Sequence, residues 1–132
     1  MSKMAIICVD DELSILKSLE IELLEAFDDR YLYEFAETPD EALEIIAELE
    51  AEGKEVFLIV SDWLMPGIKG DEFLIQVHIQ YPEIIKVMLT GQADEASIER
   101  AKQEANLYHY LAKPWNRQEL VEIIQNAQIN TN

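Results

Sequence analysis

The chain has 132 residues, 49% of them apolar, which is enough for one domain with its own core and too few for two ordinary ones. Asp and Glu number 27 against 10 Lys and Arg, a net charge of −17. Such a field repels phosphate backbones and acidic membranes, so no direct nucleic-acid partner and no membrane partner is expected, and no apolar run is long enough to cross a bilayer.

A lone cysteine, Cys8, excludes an internal disulfide framework and fits a reducing compartment. No signal pattern precedes the first apolar run, so a cytoplasmic location is expected. Met4 to Val9 is continuously apolar and reads as a strand, stopped by Asp10-Asp11-Glu12. Leu13, Leu16, Leu19, Leu23 and Phe27 then recur at helical spacing. Carboxylates at a helix amino end gain only about 0.3–1 kcal/mol each from the dipole. That accounts for one acidic residue; three adjacent ones repel each other and suggest a further use.

Tyr31 to Phe35 reads as a second strand. Thr38-Pro39-Asp40-Glu41 opens a second helix, with Thr38 as cap, Pro39 in the first turn and Glu41 closing a capping box. Ala42, Leu43, Ile45, Ile46 and Leu49 form its apolar face, and Gly53 ends it. Val56 to Val60 is a β-branched, apolar run that stops at Ser61-Asp62, and Met65-Pro66-Gly67 turns the chain. A third helix over 71–81 carries Phe73, Leu74 and Val77 and stops at Pro82.

Lys86 to Thr90 is a fourth strand, ended by Gly91. Asp94 caps a fourth helix reaching Glu104, whose apolar positions are mostly alanine and Ile98; so thin a face predicts weak anchoring. Tyr108 to Ala112 is the fifth strand. Asn116-Arg-Gln-Glu119 is another capping box, and Leu120, Val121, Ile123, Ile124 and Ala127 line the last helix. Alternating strands and helices predict an α/β fold with a doubly wound, five-stranded parallel sheet. The expected order is flavodoxin-like, 2-1-3-4-5, in a (βα)5 chain. A single domain is expected, with its core over about 3–128 and a frayed tail over 129–132.

In a parallel sheet the carboxyl ends share one edge, where ligands and chemistry gather. Asp10-Asp11, Asp62, Thr90 and Lys113 each follow an apolar run and arrive there together. Singly, each is an ordinary cap, turn or strand-end residue. As a set they make a site. Three converging carboxylates without His or Cys suit an oxygen-seeking Mg²⁺ rather than zinc or copper. Asp62 can act as a nucleophile toward phosphorus, and Lys113 and Thr90 can meet phosphoryl oxygens. His78 and His109 lie away from this edge.

Asp10-Asp11-Glu12, Asp62-Trp63-Leu64-Met65-Pro66-Gly67 with Gly70, Thr90-Gly91 and Lys113-Pro114 resemble the receiver (phosphoacceptor) domain of two-component response regulators, over about 3–128. The resemblance implies that Asp62 is phosphorylated from the phosphohistidine of a sensor histidine kinase or a phosphotransfer protein. It implies Mg²⁺ held directly by Asp11 and Asp62, through water by Asp10, and by the Leu64 backbone carbonyl. It assigns Lys113 to the phosphoryl group, Thr90 to the switch hydroxyl and Tyr110 to the switch aromatic. Leu64 and Gln92 would tune the phosphoryl lifetime, with Leu64 too apolar to position a water. Such a domain catalyses only its own phosphorylation and dephosphorylation and is not otherwise an enzyme.

The fourth helix, fifth strand and last helix would form the output face. Glu95, Glu99, Arg100, Lys102, Arg117 and Glu122 give it mixed sign, so a homodimer formed on phosphorylation is expected. An output domain or effector would lie outside this chain. Two rivals share the acceptor geometry or the fold. A haloacid-dehalogenase-like phosphatase would need a second Asp where Leu64 stands, and a flavodoxin would need a phosphate cradle where Asp10-Asp11-Glu12 would repel the ligand. A pseudo-receiver that is never phosphorylated is a third alternative.

Overall fold

In the computed structural model, which describes residues 3–65, 67–91 and 95–131, strands and helices alternate throughout. Strands β1 (Ala5–Val9), β2 (Leu32–Ala36), β3 (Val56–Asp62), β4 (Ile85–Thr90) and β5 (His109–Ala112) form one sheet. Helices α1 (Leu13–Phe27), α2 (Pro39–Ala51), α3 (Gly70–Gln80), α4 (Glu95–Glu104) and α5 (Arg117–Thr131) follow them in turn. All pairs are parallel and the order is β2-β1-β3-β4-β5, the expected flavodoxin-like arrangement.

Two-residue alternation along the central strands sends side chains into two apolar layers. Ile7, Val9, Ile59 and Met88 meet Ile46 of α2, Phe73, Leu74 and Val77 of α3, and Ala101 of α4. Ile6, Cys8, Val60, Val87 and Leu89 meet Leu19 and Leu23 of α1 and Leu120, Ile124 and Ala127 of α5. Strand β3 is buried at all 7 residues, which is why its sequence reads as a continuous apolar run and not as an alternation. Each fully buried leucine of these layers stabilises the fold by about 1.5–3 kcal/mol relative to exposure.

Local signals fix the helix starts. The Thr38 hydroxyl accepts from the Glu41 N–H at 3.1 Å, and Asn116 Oδ1 accepts from the N–H groups of Gln118 and Glu119 at 2.8 and 3.3 Å. The Glu41 carboxylate accepts from the N–H of Glu37 at 2.7 Å, one residue before the cap. Gly53, at φ +75°, turns the chain out of α2 in a conformation that favours glycine.

Several expectations are corrected. Leu13, the first residue of α1, is 65% exposed, and the buried face of that helix begins at Leu16. β2 and β4 sit one residue off the expected bounds, and β3 extends through Asp62. The tail expected from Ile129 is instead helical through Thr131. Ala127 is buried there, and the Tyr31 hydroxyl donates to Gln128 Oε1 at 2.6 Å, so the last turns are held to the body. The Asp94 cap lies outside the described residues. The thin face of α4 is as expected: its buried residue is Ala101 alone among those described.

Candidate functional site

Asp62 ends β3, Thr90 ends β4, Asp10 follows β1 and Lys113 follows β5, so the sheet itself brings them to one edge. Asp10 is fully buried, Asp62 and Thr90 are buried, and Asp11 is exposed. One carboxylate oxygen from each of Asp10, Asp11 and Asp62 lies within 4.8 Å of the others. Lys113 Nζ reaches over them, 3.0 Å from Asp10 Oδ2 and 3.0 Å from Asp62 Oδ1. Asp10 Oδ1 accepts from the Glu12 N–H at 2.8 Å, which fixes the acidic turn after β1.

Burial raises the Asp62 carboxyl above the usual range, the Lys113 hydrogen bond and charge pull it down, and the Asp10 and Asp11 charges push it up again. For Lys113, burial works against the ammonium, but its hydrogen bonds to Asp10 and Asp62 outweigh burial and raise it. One cation therefore serves two buried carboxylates, and a third carboxylate stands at the rim. That donor set is hard, all oxygen and excess in negative charge, which fits a small divalent cation and gives zinc or copper no soft ligand.

The loop after β3 is packed against the acidic residue itself. A Cβ placed on Gly70 would collide with the Asp62 carbonyl oxygen and come within 2.7 Å of Trp63 Cα. The amino end of α3 can lie this close only with glycine there. The sequence alone marked Gly70 as a loop end and missed this contact. It also missed Trp115, whose Nε1–H donates to Glu22 Oε1 on α1 at 2.9 Å and ties the segment after Lys113 to the body; the peptide between Lys113 and Pro114 is cis. An aromatic two residues beyond Lys113 was the available signal. Leu64 is 59% exposed beside the site, and Gly91 has open space around it. Gln92 lies outside the described residues.

The expected switch aromatic, Tyr110, is 41% exposed on β5, with Lys102 of α4 5.8 Å from its ring centroid. The cations of the expected output face have partners. Arg100 bonds Glu104 at 3.0 Å and sits 3.6 and 3.9 Å from Asp71 and Glu72 of α3. Arg117 bonds Glu25 of α1 at 2.8 Å. Two of the three expected cations are thus ion-paired while about half exposed, and the third, Lys102, lies over the Tyr110 ring.

The family model described as the response regulator receiver domain matches residues 6–125. The chain belongs to the receiver domain family of response regulators. Its fold closely follows that of the signal receiver domain of an HD domain-containing protein from Pseudomonas fluorescens, at TM-score 0.87 and 32% identity, with 98% of this chain and 97% of that one covered. A CheY-like receiver domain protein from Methanospirillum hungatei is similar at TM-score 0.80 and 30% identity, over 95% of this chain and 93% of that one. Among curated proteins, the hydrogenase transcriptional regulatory protein HoxA of Cupriavidus necator is 36% identical over 72 residues, 54% of this chain. This receiver spans only 15% of that regulator's length. The described residues contain no helix long and apolar enough to cross a membrane.

Proposed function

We propose that this receiver domain accepts a phosphoryl group on Asp62 from the phosphohistidine of a sensor histidine kinase or phosphotransfer protein and so carries a two-component signal. The observation that carries the reading is the single ammonium of Lys113, 3.0 Å from both Asp10 and Asp62 at the sheet's carboxyl edge. An Asp62 carboxylate oxygen forms a bond to phosphorus as the P–N bond to the donor imidazole breaks, leaving an acyl phosphate. Lys113 shifts from the Asp62 carboxylate to a phosphoryl oxygen and stabilises its charge. Asp10, Asp11, Asp62 and the Leu64 carbonyl are the proposed holders of Mg²⁺, which when bound neutralises charge between the phosphoryl group and the acidic pocket. Beyond its own phosphorylation and dephosphorylation the domain has no proposed enzymatic activity.

Phosphorylation adds about −1.5 to −2 of charge and three acceptor oxygens at pH 7. Thr90 turns toward them, Tyr110 moves inward from its half-exposed position, and α4 repacks. The repacked face, with Tyr108 still exposed at its edge, then supports a homodimer through α4, β5 and α5. The solved NtrC4 receiver domain described as a beryllofluoride-activated dimer is similar at TM-score 0.80 and 28% identity, over 93% of this chain and 94% of that one. The domain is proposed to be a single cytoplasmic unit with its core over about 3–128 and its output domain or effector elsewhere.

Intact mass after incubation with acetyl phosphate tests the reading. One phosphoryl adduct is expected on the wild type with Mg²⁺, and none without metal or in Asp62→Asn. Absence of an adduct, together with failure to bind beryllofluoride, would overturn it in favour of a pseudo-receiver.

A further inference from the structure

Lys86 and His78 have no part in the site at Asp62 and meet at the opposite edge of the sheet. Lys86 is the second residue of β4 and is 1% exposed. Its Nζ lies 2.9 Å from His78 Nδ1, on the last turns of α3, and 3.3 Å from the Pro82 carbonyl oxygen. No carboxylate among the described residues forms an ion pair with it. A lysine this buried usually has one.

We propose that Lys86 and His78 form a pH-sensitive strut between β4 and α3, which holds one positive charge and opens when His78 takes up a second. The geometry sets the rule. At 2.9 Å one nitrogen donates and the other accepts, so an ammonium on Lys86 requires His78 to be unprotonated at Nδ1. Imidazolium has two donors and no acceptor, so protonation of His78 breaks the bond and sets two cations against each other. Lys86 is enclosed and cannot turn to water. His78 is half-buried and is the partner that swings out, releasing the end of α3.

The surroundings leave the pair to itself. Lys86 is in register with Ile59 of β3, and its carbonyl accepts from the Tyr108 N–H ahead of β5. On the same face α4 turns Ala101 inward. Titratable neighbours in the α3–β4 turn are Tyr81, half-buried, and Glu83, exposed. Burial lowers His78 first and the Lys86 charge lowers it further; burial alone lowers Lys86, to about 8. The turn borders an open cleft of about 700 Å³ whose lining includes Tyr81, Pro82 and Ile84 and the titratable Glu50, Glu55 and Glu83, so the junction has space to move.

The sign follows from these directions. Below the ordinary histidine value of about 6.5 the unfolded chain protonates His78 before the folded one does, so stability falls as pH drops through that range. Lys86 acts at the other end: between about 10.5 and about 8 only the unfolded chain holds its proton, so stability also falls as pH drops there and is constant below.

Proton NMR of the full chain from pH 4.5 to 8 tests the strut, with His109 as the second imidazole and control. In the wild type His78 should titrate below about 6.5, and in Lys86→Met its midpoint should rise by at least about 0.5 unit while His109 stays put. Amide exchange over residues 77–84, corrected for intrinsic rate, should speed up in acid in the wild type and not in Lys86→Met. Equal His78 midpoints in the two proteins, or pH-independent exchange at that turn, would overturn the proposal. Should Lys86→Met not fold, the wild type decides: exchange over residues 77–84 that speeds up in step with the His78 titration supports the strut, and exchange that does not follow it overturns the proposal.

Discussion

On one side of β3, strand β1 is buried at all 5 residues, and α1 presses Leu16, Leu19, Leu23 and Phe27 against it. On the other side, β5 buries only Leu111 of its 4 residues, and α4 buries only Ala101 among those described. Asp10 and Asp11 follow β1 on the well-anchored flank, Asp62 ends the central β3, and Tyr110 stands on the loose flank. Thr90, buried at the end of β4, lies between them. A rigid site keeps its oxygens in place during chemistry, and a weakly held neighbour can be repacked by a few kcal/mol of new interaction. Under the proposed function, the difference between the flanks is what would make a local charge legible at a distance.

Substitutions can break or sharpen that contrast. Leu19→Ala, on the anchored flank, should lose about 2–5 kcal/mol in urea unfolding, whereas Ile98→Ala in α4 should lose under about 1 kcal/mol. Equal losses would remove the contrast. Gly70→Ala should cost about 1–3 kcal/mol, because the new methyl meets the backbone of Asp62 and Trp63, and it should weaken metal binding at the same time. Thr38→Ala should cost about 1 kcal/mol through the lost cap, with no effect on phosphorylation rate. The smallest effect belongs to Arg100→Gln. Its ion pairs to Asp71, Glu72 and Glu104 are made by a side chain 46% exposed, so stability should change by no more than about 0.5 kcal/mol. Amide exchange in α4 should nevertheless rise, since the pairs to Asp71 and Glu72 tie it to α3.

The strand-end residues were legible because each apolar run stops at a polar residue, and parallel pairing carries all such stops to one edge. Asp62 and Lys113 are far apart in the chain, and only the crossover rules bring them together. What the sequence hid was of another kind. Leu13 fits the helical period of α1, but periodicity does not say at which turn a helix begins to be covered. Arg100 and Arg117 carry the right charge for a mixed face, and their reach to Asp71 and Glu72 of α3 and to Glu25 of α1 depends on side-chain direction. Lys86 interrupts the apolar run Ile84 to Leu89, and that interruption was a signal passed over. Its partner His78 follows from the packing of α3 on β4, which no local pattern encodes.

The most direct test of the link between the two flanks is amide exchange on the wild type with Mg²⁺, in the absence and presence of beryllofluoride. Protection should change over residues 95–112 and stay the same over residues 5–9 and 16–27. Unchanged exchange in α4 with beryllofluoride bound, or equal changes in α1 and α4, would contradict an account in which the anchored site drives the loosely held face.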